Sequence, residues 1–320
     1  MRAPYPGYAR FAWATLIFTL FVILWGAFVR ATGSGAGCGS HWPLCNGEIV
    51  PHSPAYATVI EFGHRITSGL SLFMVVGMWW GARSRFDAGD PTRRAAAWSL
   101  FFMVTEALIG AGLVLFEYVA DDARTARGLW VAGHLLNTFL LVGVMTACAA
   151  WASGAAWLSL EGRGRSTALL LAALVGMLVL GVSGAVTALG DTLFPAASFE
   201  AGKAATFSET AHLFVRLRIW HPTLAVLVGA LVLAAAWVSV ASRPEPAVRL
   251  AAKCVVGAYV AELLVGLANV WWLAPVWIQL VHLLLSDVIW ISLVLLSLAV
   301  LAKEPGDGAP AAFAAPVGVA

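Results

Sequence analysis

The chain has 320 residues, of which 61% are hydrophobic and only 11% are charged, and its mean hydropathy is +0.85. This composition excludes an ordinary soluble domain. The net charge of +2 comes without a block of basic residues, so nothing indicates nucleic-acid binding. The sequence therefore predicts a polytopic membrane protein.

Apolar runs of 18 or more residues are long enough to cross a bilayer as helices. Eight such runs lie near 11–30, 58–82, 95–117, 128–152, 167–188, 212–241, 248–272 and 277–301. The first run is too long for the core of a signal peptide and ends at Arg30 without a small-residue cleavage pattern, so we expect it to be retained. The predicted fold class is an all-α membrane protein with eight transmembrane helices.

Lysine and arginine are concentrated on one side of these spans, which the positive-inside rule places in the cytoplasm. The residues on this side are Arg2, Arg10, Arg83, Arg85, Arg93, Arg94, Arg163, Arg165, Arg243, Arg249, Lys253 and Lys303. Both termini are therefore predicted to be cytoplasmic. The long loop 31–57 is then predicted to face outward from a bacterial cell membrane. The eight spans are predicted to contact membrane lipid.

Four cysteines occur in the chain, and two of them lie seven residues apart in the outward loop. Cys38 and Cys45 face an oxidising compartment, which favours a disulfide. Two free thiols, or a metal site that includes His41, are the alternatives. Cys148 and Cys254 lie inside apolar spans, where we expect them to be inert residues of the core.

Histidine recurs on alternate spans. Glu61 and His64 are three residues apart on one face of the second span, and His134, His221 and His282 lie on the fourth, sixth and eighth. These spans run in one direction, so all four histidines lie on the order of 10 Å below the outer surface. A single membrane histidine is usually an interhelical contact. Four at matched depth favour two pairs of ligands.

An internal repeat supports this pairing. The segment VAGHLLNTFLLVGV resembles QLVHLLLSDVIWIS at an offset of 148 residues, and GAFVRATGSG resembles GAVTALGDTL at an offset of 158. TEALIGAGLV resembles AELLVGLANV, which pairs Glu106 with Glu262 at an offset of 156. Near-constant offsets indicate duplication of a four-helix unit, with an even number of spans in each half.

The repeat predicts two pseudo-symmetric four-helix bundles, formed by residues 1–165 and 166–320. A bundle that presents a histidine from each of two facing helices is suited to holding haem, with an imidazole on each side of the iron. The tail 304–320 is rich in alanine, proline and glycine and is predicted to be disordered.

The run RATGSGAGC…HWPLCNG, followed by EFGHR and by histidines on three later spans, resembles the haem A synthase family over about residues 10–301. The resemblance implies successive hydroxylations of the C8 methyl group of haem O, which give the formyl group of haem A. It also implies haem B as a cofactor in the C-terminal half, with the substrate haem in the N-terminal half. Haem O synthase and cytochrome oxidase assembly factors are the implied protein partners.

The resemblance also assigns roles to individual residues. They are Glu61 in catalysis, His64 and His134 on the substrate iron, His221 and His282 on the cofactor iron, and Cys38 and Cys45 in the disulfide. The chain departs from relatives that have a second cysteine pair, because 189–210 contains no cysteine. Proline follows the histidine of the sixth span, at the position where the N-terminal repeat has an arginine.

Several alternatives stay open at this point. His212 competes with His221 as the ligand from the sixth span, although only His221 fits the repeat offset. Arg65, Arg216 and Arg218 either extend to the outer interface or bind haem propionates. A dihaem b-type electron-transfer cytochrome would need the same four histidines, but it would not need a carboxylate one turn from a ligand.

Overall fold

The computed structural model describes residues 5–52, 54–160 and 163–303. Within these ranges all regular secondary structure is helical, and eight helical segments are long and apolar enough to cross a membrane, which confirms the predicted spans. The α-helices are α1 (Pro6–Ala31), α2 (Tyr56–Arg85), α3 (Pro91–Leu115), α4 (Thr125–Ala152), α5 (Gly164–Leu193), α6 (Phe199–Thr206), α7 (Leu213–Arg216), α8 (Trp220–Ser242), α9 (Pro246–Trp271) and α10 (Val276–Val300). The predicted tail 304–320 lies outside the described residues.

The sixth span is less regular than the sequence predicts. It begins with α7, continues through a 3₁₀ turn at Leu217–Ile219, and becomes a regular α-helix only with α8. The short helix α6 precedes it, and Ser198 caps α6 by accepting a hydrogen bond from the backbone N–H of Ala201. The start of α3 has a regular N-terminal cap. Asp90 caps α3 in the same way, with Pro91 at the first helical position.

The helices of each half contact one another in a closed ring. Helices α1, α2, α3 and α4 form one ring, and α5, α8, α9 and α10 form the other. The two rings meet through α1, α4, α5 and α10. Helices that match in the internal repeat therefore contact equivalent neighbours in the two rings, which supports the proposed duplication. The pseudo-twofold relation, the boundary between the halves and the cytoplasmic position of both termini stay predictions.

The two ends of the bundle carry different features. We call the end at which α2, α4, α7 and α10 begin the disulfide face, because the loop with Cys38 and Cys45 lies at this end. At the opposite face, Arg163 and Arg243 both donate hydrogen bonds to the carbonyls of Val300 and Ala302. Cations at the end of a helix satisfy carbonyls that have no partner within the helix.

The two rings pack closely around one aromatic pair. Phe139 on α4 and Trp290 on α10 lie 5.5 Å apart between ring centres, and the indole N–H of Trp290 donates to the carbonyl of Phe139 at 2.6 Å. Phe139 is buried against Gly181 on α5, where any side chain would collide with its ring. Glycine at this position therefore allows α4 and α5 to approach each other.

The two cysteines of the spans differ in their surroundings. Cys148 is buried, as predicted, and lies 3.5 Å from the hydroxyl of Tyr8. The prediction for Cys254 is wrong, because its side chain is exposed on α9. A membrane helix is apolar on the face toward lipid and on the face toward protein, so hydropathy alone does not separate the two positions.

The contact at Gly181 provides a test of the packing between the two rings. We expect Gly181→Ala to destabilise the protein by about 1–3 kcal/mol, because the added methyl group collides with Phe139. The measurement is the thermal unfolding midpoint of the purified protein in detergent. Gly257→Ala is the matched control, since no heavy atom lies within 4 Å of its added carbon. Equal midpoints for the two variants would contradict the described packing.

Candidate functional site

The four histidines share one packing feature, in that each lies against a glycine of a neighbouring helix. The pairs are His64 with Gly26, His134 with Gly110, His221 with Gly184, and His282 with Gly266. A methyl group at Gly26 or Gly184 would approach the imidazole to 2.9 Å, and at Gly266 to 3.1 Å, whereas at Gly110 the contact would be an ordinary 3.8 Å. The equivalent pairs in the two halves follow the internal repeat.

A glutamate accompanies one histidine of each half. Glu106 Oε1 lies 3.2 Å from Nδ1 of His134, and Glu262 Oε2 lies 3.0 Å from Nδ1 of His282. In both pairs the atoms are close enough for an ion pair, but their orientation does not form a hydrogen bond. A carboxylate at Nδ1 favours the tautomer with the proton on that nitrogen, which leaves Nε2 to ligate a metal. The glutamates thus orient two of the proposed ligands.

The two histidines of the C-terminal half lie together. The ring centres of His221 and His282 are 6.1 Å apart and their planes are perpendicular. Ser183 Oγ lies 3.0 Å from Nδ1 of His221, so the Nε2 atom is again the one left for a metal. Two imidazoles on opposite sides of one metal, at about 2 Å each, have ring centres roughly 6 Å apart. The separation of the two rings is therefore compatible with one haem iron held between them.

His212 is engaged elsewhere. Its ring stacks on Phe194 at 4.8 Å, and its Nδ1 accepts a hydrogen bond from the backbone N–H of Phe214, which makes it the N-terminal cap of α7. This role gives His212 a structural function one short helix away from His221. The arrangement favours His221 as the ligand from the sixth span.

Glu61 is buried, with only 3% of its surface exposed, and both of its carboxylate oxygens have partners. Oε2 accepts a hydrogen bond from the backbone N–H of Cys38 at 2.8 Å. Oε1 accepts from Nη2 of Arg65 at 2.5 Å and from its Nε at 3.1 Å. Glu61 therefore fastens the loop with Cys38 and Cys45 to α2.

The loop itself is cross-linked and compact. Cys38 and Cys45 form the predicted disulfide and are both buried, and the carbonyl of Cys38 accepts a hydrogen bond from the backbone N–H of Asn46. Gly39 and Gly47 have φ values of +62° and +83°, which side chains disfavour, so these two turns require glycine. The disulfide replaces the alternatives of free thiols or a metal site.

A second acid, Glu48, orders the far end of this loop. Its carboxylate accepts a hydrogen bond from the backbone N–H of His52 at 2.9 Å, and the His52 ring lies 3.1 Å away. These contacts hold the pKa of the Glu48 carboxyl below its usual range, the backbone hydrogen bond being the larger cause.

Arg65 uses its side chain to bind the loop. Its Nη1 donates to the carbonyls of His41 and Leu44 at 2.7 and 2.6 Å, while Nε and Nη2 bind Glu61. The Arg65 guanidinium, a candidate for binding haem propionates, therefore already forms hydrogen bonds with three protein groups. The pair Glu61–Arg65 is one unit that holds the loop in place.

The two later arginines differ from each other. Arg218 forms an ion pair with Asp191 at 2.7 Å and donates to the carbonyls of Gly190 and Phe194. Arg216 is exposed near the disulfide face, and among the described residues its guanidinium has no hydrogen bond or ion pair. Of the three arginines considered for propionates, Arg216 has the least committed side chain.

Two charged residues in or beside the apolar segments, Arg30 and Asp287, were not predicted from the sequence to be site residues. Arg30 lies at the end of α1 and donates to residues of both α5 and α10. Asp287 is completely buried on α10, and neither carboxylate oxygen has a partner in the described part of the chain. Arg30 ends an apolar run and Asp287 stands inside one, in LLSDVI, and a charge in such surroundings is the signal that marks them.

Residues 9–294 match the family model COX15-CtaA, described as "Cytochrome oxidase assembly protein". The chain belongs to this family. The match covers the four histidines, the loop disulfide and the two glutamates, so the site described above lies within the family's own domain.

Curated relatives carry two different names. A protein of Thermus thermophilus named "Protoheme IX farnesyltransferase" is 45% identical over 308 residues, which are 95% of this chain and 51% of that protein. "Heme A synthase" of Shouchella clausii is 40% identical over 110 residues, and that of Alkalihalophilus pseudofirmus is 42% identical over 105. These two matches cover 34% and 32% of this chain and 36% and 34% of those proteins. The chain thus spans about half the length of the Thermus relative and matches about a third of each synthase.

The loop disulfide can be measured directly. In denatured, unreduced protein we expect an alkylating reagent to label Cys148 and Cys254, and to label Cys38 and Cys45 only after reduction. Mass spectrometry of the loop peptide reads the result. Labelling of all four thiols before reduction would show that the loop is not cross-linked.

Proposed function

We propose that this protein is a haem A synthase, an oxidoreductase of the bacterial cell membrane that oxidises the C8 methyl group of haem O to the formyl group of haem A by successive hydroxylations. The observation that carries the proposal is the pair His221 and His282, whose rings lie 6.1 Å apart inside an apolar helix ring. Membership in the family and the relatives named "Heme A synthase" support it.

In this proposal the C-terminal half holds haem B through His221 and His282. Haem iron supplies one-electron redox chemistry when it is bound. Ser183 and Glu262 face the Nδ1 atoms of these two histidines and so orient their Nε2 atoms. A carboxylate at an axial histidine also increases the basicity of that ligand. The apolar side chains of the surrounding helices keep water from the site.

The N-terminal half is the proposed substrate site, with His64 and His134 on the iron of haem O. Glu106 orients His134, and its own carboxylate is held by Asn137 and Thr138 at 2.6 and 2.5 Å. Corresponding support for His64 comes from helix packing alone, because its Nδ1 has neither a hydrogen-bond partner nor an ion pair among the described residues. The less constrained imidazole suits a site that must bind a substrate and release a product.

Glu61 is the proposed catalytic acid–base group of this site, at one helical turn from His64. A carboxylate there accepts protons that the oxidation of a methyl group releases, or positions the water that supplies oxygen. Its contacts with Cys38 and Arg65 hold it against the loop. The carboxylate is thus fixed in place at the disulfide face.

A specific observation favours the second candidate, a dihaem b-type electron-transfer cytochrome. Both oxygens of Glu61 already have structural partners, Cys38 and Arg65, so this residue does not by itself demand catalysis. The two functions make different products. Only a synthase converts haem O into haem A, and extraction of haem from cells that make the protein distinguishes them.

A haem O synthase is the proposed partner, together with cytochrome oxidase assembly factors. The Thermus relative is named for the transfer of a farnesyl group to protohaem IX, and this chain matches only about half of it. We infer that prenyl transfer to haem precedes the reaction proposed here and that the two activities work side by side in the membrane. The disulfide face is proposed to be extracytoplasmic.

Haem binding is the first test. We expect His221→Ala and His282→Ala each to abolish the low-spin haem B spectrum of the purified protein, because an axial ligand is lost. His64→Ala and His134→Ala should keep that spectrum, since they belong to the other half. Optical and EPR spectra, with haem quantified by extraction, give the answer. A normal low-spin haem B signal in both C-terminal variants would refute the ligand assignment.

The second test concerns Glu61. Glu61→Gln retains an acceptor for the N–H of Cys38 but loses the negative charge and the basicity. We expect normal haem binding at both sites and loss of most haem A, with haem O or its hydroxylated form accumulating in extracts. Glu48→Gln, which changes an exposed acid of the same loop, is the control and should leave haem A unchanged. Near-normal haem A from Glu61→Gln would reduce this residue to a structural role.

A further inference from the structure

Arg30 joins the two halves of the molecule at the disulfide face. It belongs to α1, but its Nη1 donates to the carbonyl of Ala188 at 2.8 Å and to Oγ1 of Thr192 at 2.7 Å, both on α5. Its Nη2 donates to Oε1 of Gln279 on α10 at 2.9 Å. A cation of the N-terminal half is therefore held entirely by groups of the C-terminal half.

All of these acceptors are neutral. Within the described part of the chain no ion pair joins Arg30 to a carboxylate, and the neighbouring Asp191 is paired with Arg218 at 2.7 Å. The cluster of Arg30, Asp191 and Arg218 thus has one positive charge in excess. Among the described residues, the one nearby carboxylate, Asp191, is thus shared by two guanidinium groups. A charge placed among apolar helices with only a shared counter-charge is costly, which implies that an anion completes this site.

The position of Arg30 indicates where that anion belongs. Ala188 lies four residues beyond Gly184, the glycine against which His221 packs. Gln279 lies three residues before His282. At 1.5 Å per residue, both acceptors stand about one helical turn, roughly 5 Å, nearer the disulfide face than the two histidines. A planar ligand held between these imidazoles would extend toward the disulfide face beside Arg30.

The internal repeat shows that this cation is not a general feature of the fold. At the offset of 158 residues, the counterpart of Arg30 is Ala188, whose carbonyl is one of its acceptors. The N-terminal half thus contributes a charge that its duplicate lacks, and the charge is directed across the boundary. Such an asymmetry suits one ligand that is bound permanently in one half.

We propose that Arg30 binds a propionate carboxylate of the haem held by His221 and His282. This inference rests on the proposed function for the presence of that haem. The remaining N–H groups of the guanidinium, on Nε and Nη2, supply charge-assisted hydrogen bonds, which carboxylates accept in a planar, two-pronged geometry. Arg30 thereby becomes a cofactor-binding residue supplied by the half that holds the substrate, and haem binding fastens the two halves together.

The test compares haem B with its dimethyl ester, in which both propionates have lost their charge. The full-length apoprotein carries His64→Ala, so that a haem in the N-terminal site does not contribute to the low-spin absorbance. This protein is titrated with each porphyrin, and binding is followed by the low-spin absorbance. We expect the ester to bind on the order of 10- to 100-fold more weakly than haem B when Arg30 is present, as for loss of one hydrogen bond to a charged group.

The decisive variant is Arg30→Gln, which should bring the two dissociation constants to within about threefold of each other. Arg124→Gln is the control, because Arg124 is an exposed arginine of the same face that is paired with Asp122, and it should retain the full discrimination. Arg30→Lys keeps the charge without the two-pronged geometry and should give an intermediate ratio.

Other outcomes overturn the proposal in recognisable ways. An unchanged ratio in Arg30→Gln refutes it, and if that variant binds neither porphyrin, an unchanged ratio in Arg30→Lys refutes it instead. A change that appears only when His64 is intact assigns the charge to the substrate haem and refutes the assignment made here. If the parent protein binds no low-spin haem at all, the proposed function and this inference are both wrong, whereas a failure confined to the Arg30 variants refutes this inference alone.

Discussion

The contact between each histidine and a glycine of the neighbouring helix is the constraint on which the rest of the site depends. An imidazole inside an apolar bundle needs space beside a backbone, and a glycine supplies it where two helices approach closely. Two of the four contacts would be too close for even a methyl group, and a third would be tight. Because the glycines and the histidines recur at nearly the same offset, one packing solution is used in both halves.

Polar support is added to this packing unequally. Glu106 and Glu262 face the histidines of α4 and α10, whereas His221 has Ser183 and His64 has no hydrogen-bond partner at Nδ1 among the described residues. The C-terminal pair is therefore the more firmly oriented one. In the proposed function this is the pair that holds a resident cofactor.

At the disulfide face the two halves differ in charge. At the repeat offset of 157 residues, the counterpart of Glu61 is Arg218, which is paired with Asp191. The N-terminal half uses its acid to fasten a disulfide-linked loop through Cys38, and the C-terminal half has a short helix, α6, in the corresponding region. The two halves therefore differ at the disulfide face, as the proposed function expects if they bind different haems.

The sequence by itself determined the eight spans and located the four histidines, because hydropathy and helical spacing are local properties that lipid makes obligatory. The pairing of these histidines as ligands stays a prediction. The sequence also marked Glu61 and the cysteine pair. What only the tertiary structure decided is which partner each polar group finds. Arg30 donates a hydrogen bond to Gln279, which lies 249 positions away in the sequence. Arg65 binds the loop, and the side chain of Cys254 is exposed on the surface of the bundle. Such choices depend on how helices pack, and the uniform hydrophobicity of a membrane helix carries little information about its neighbours.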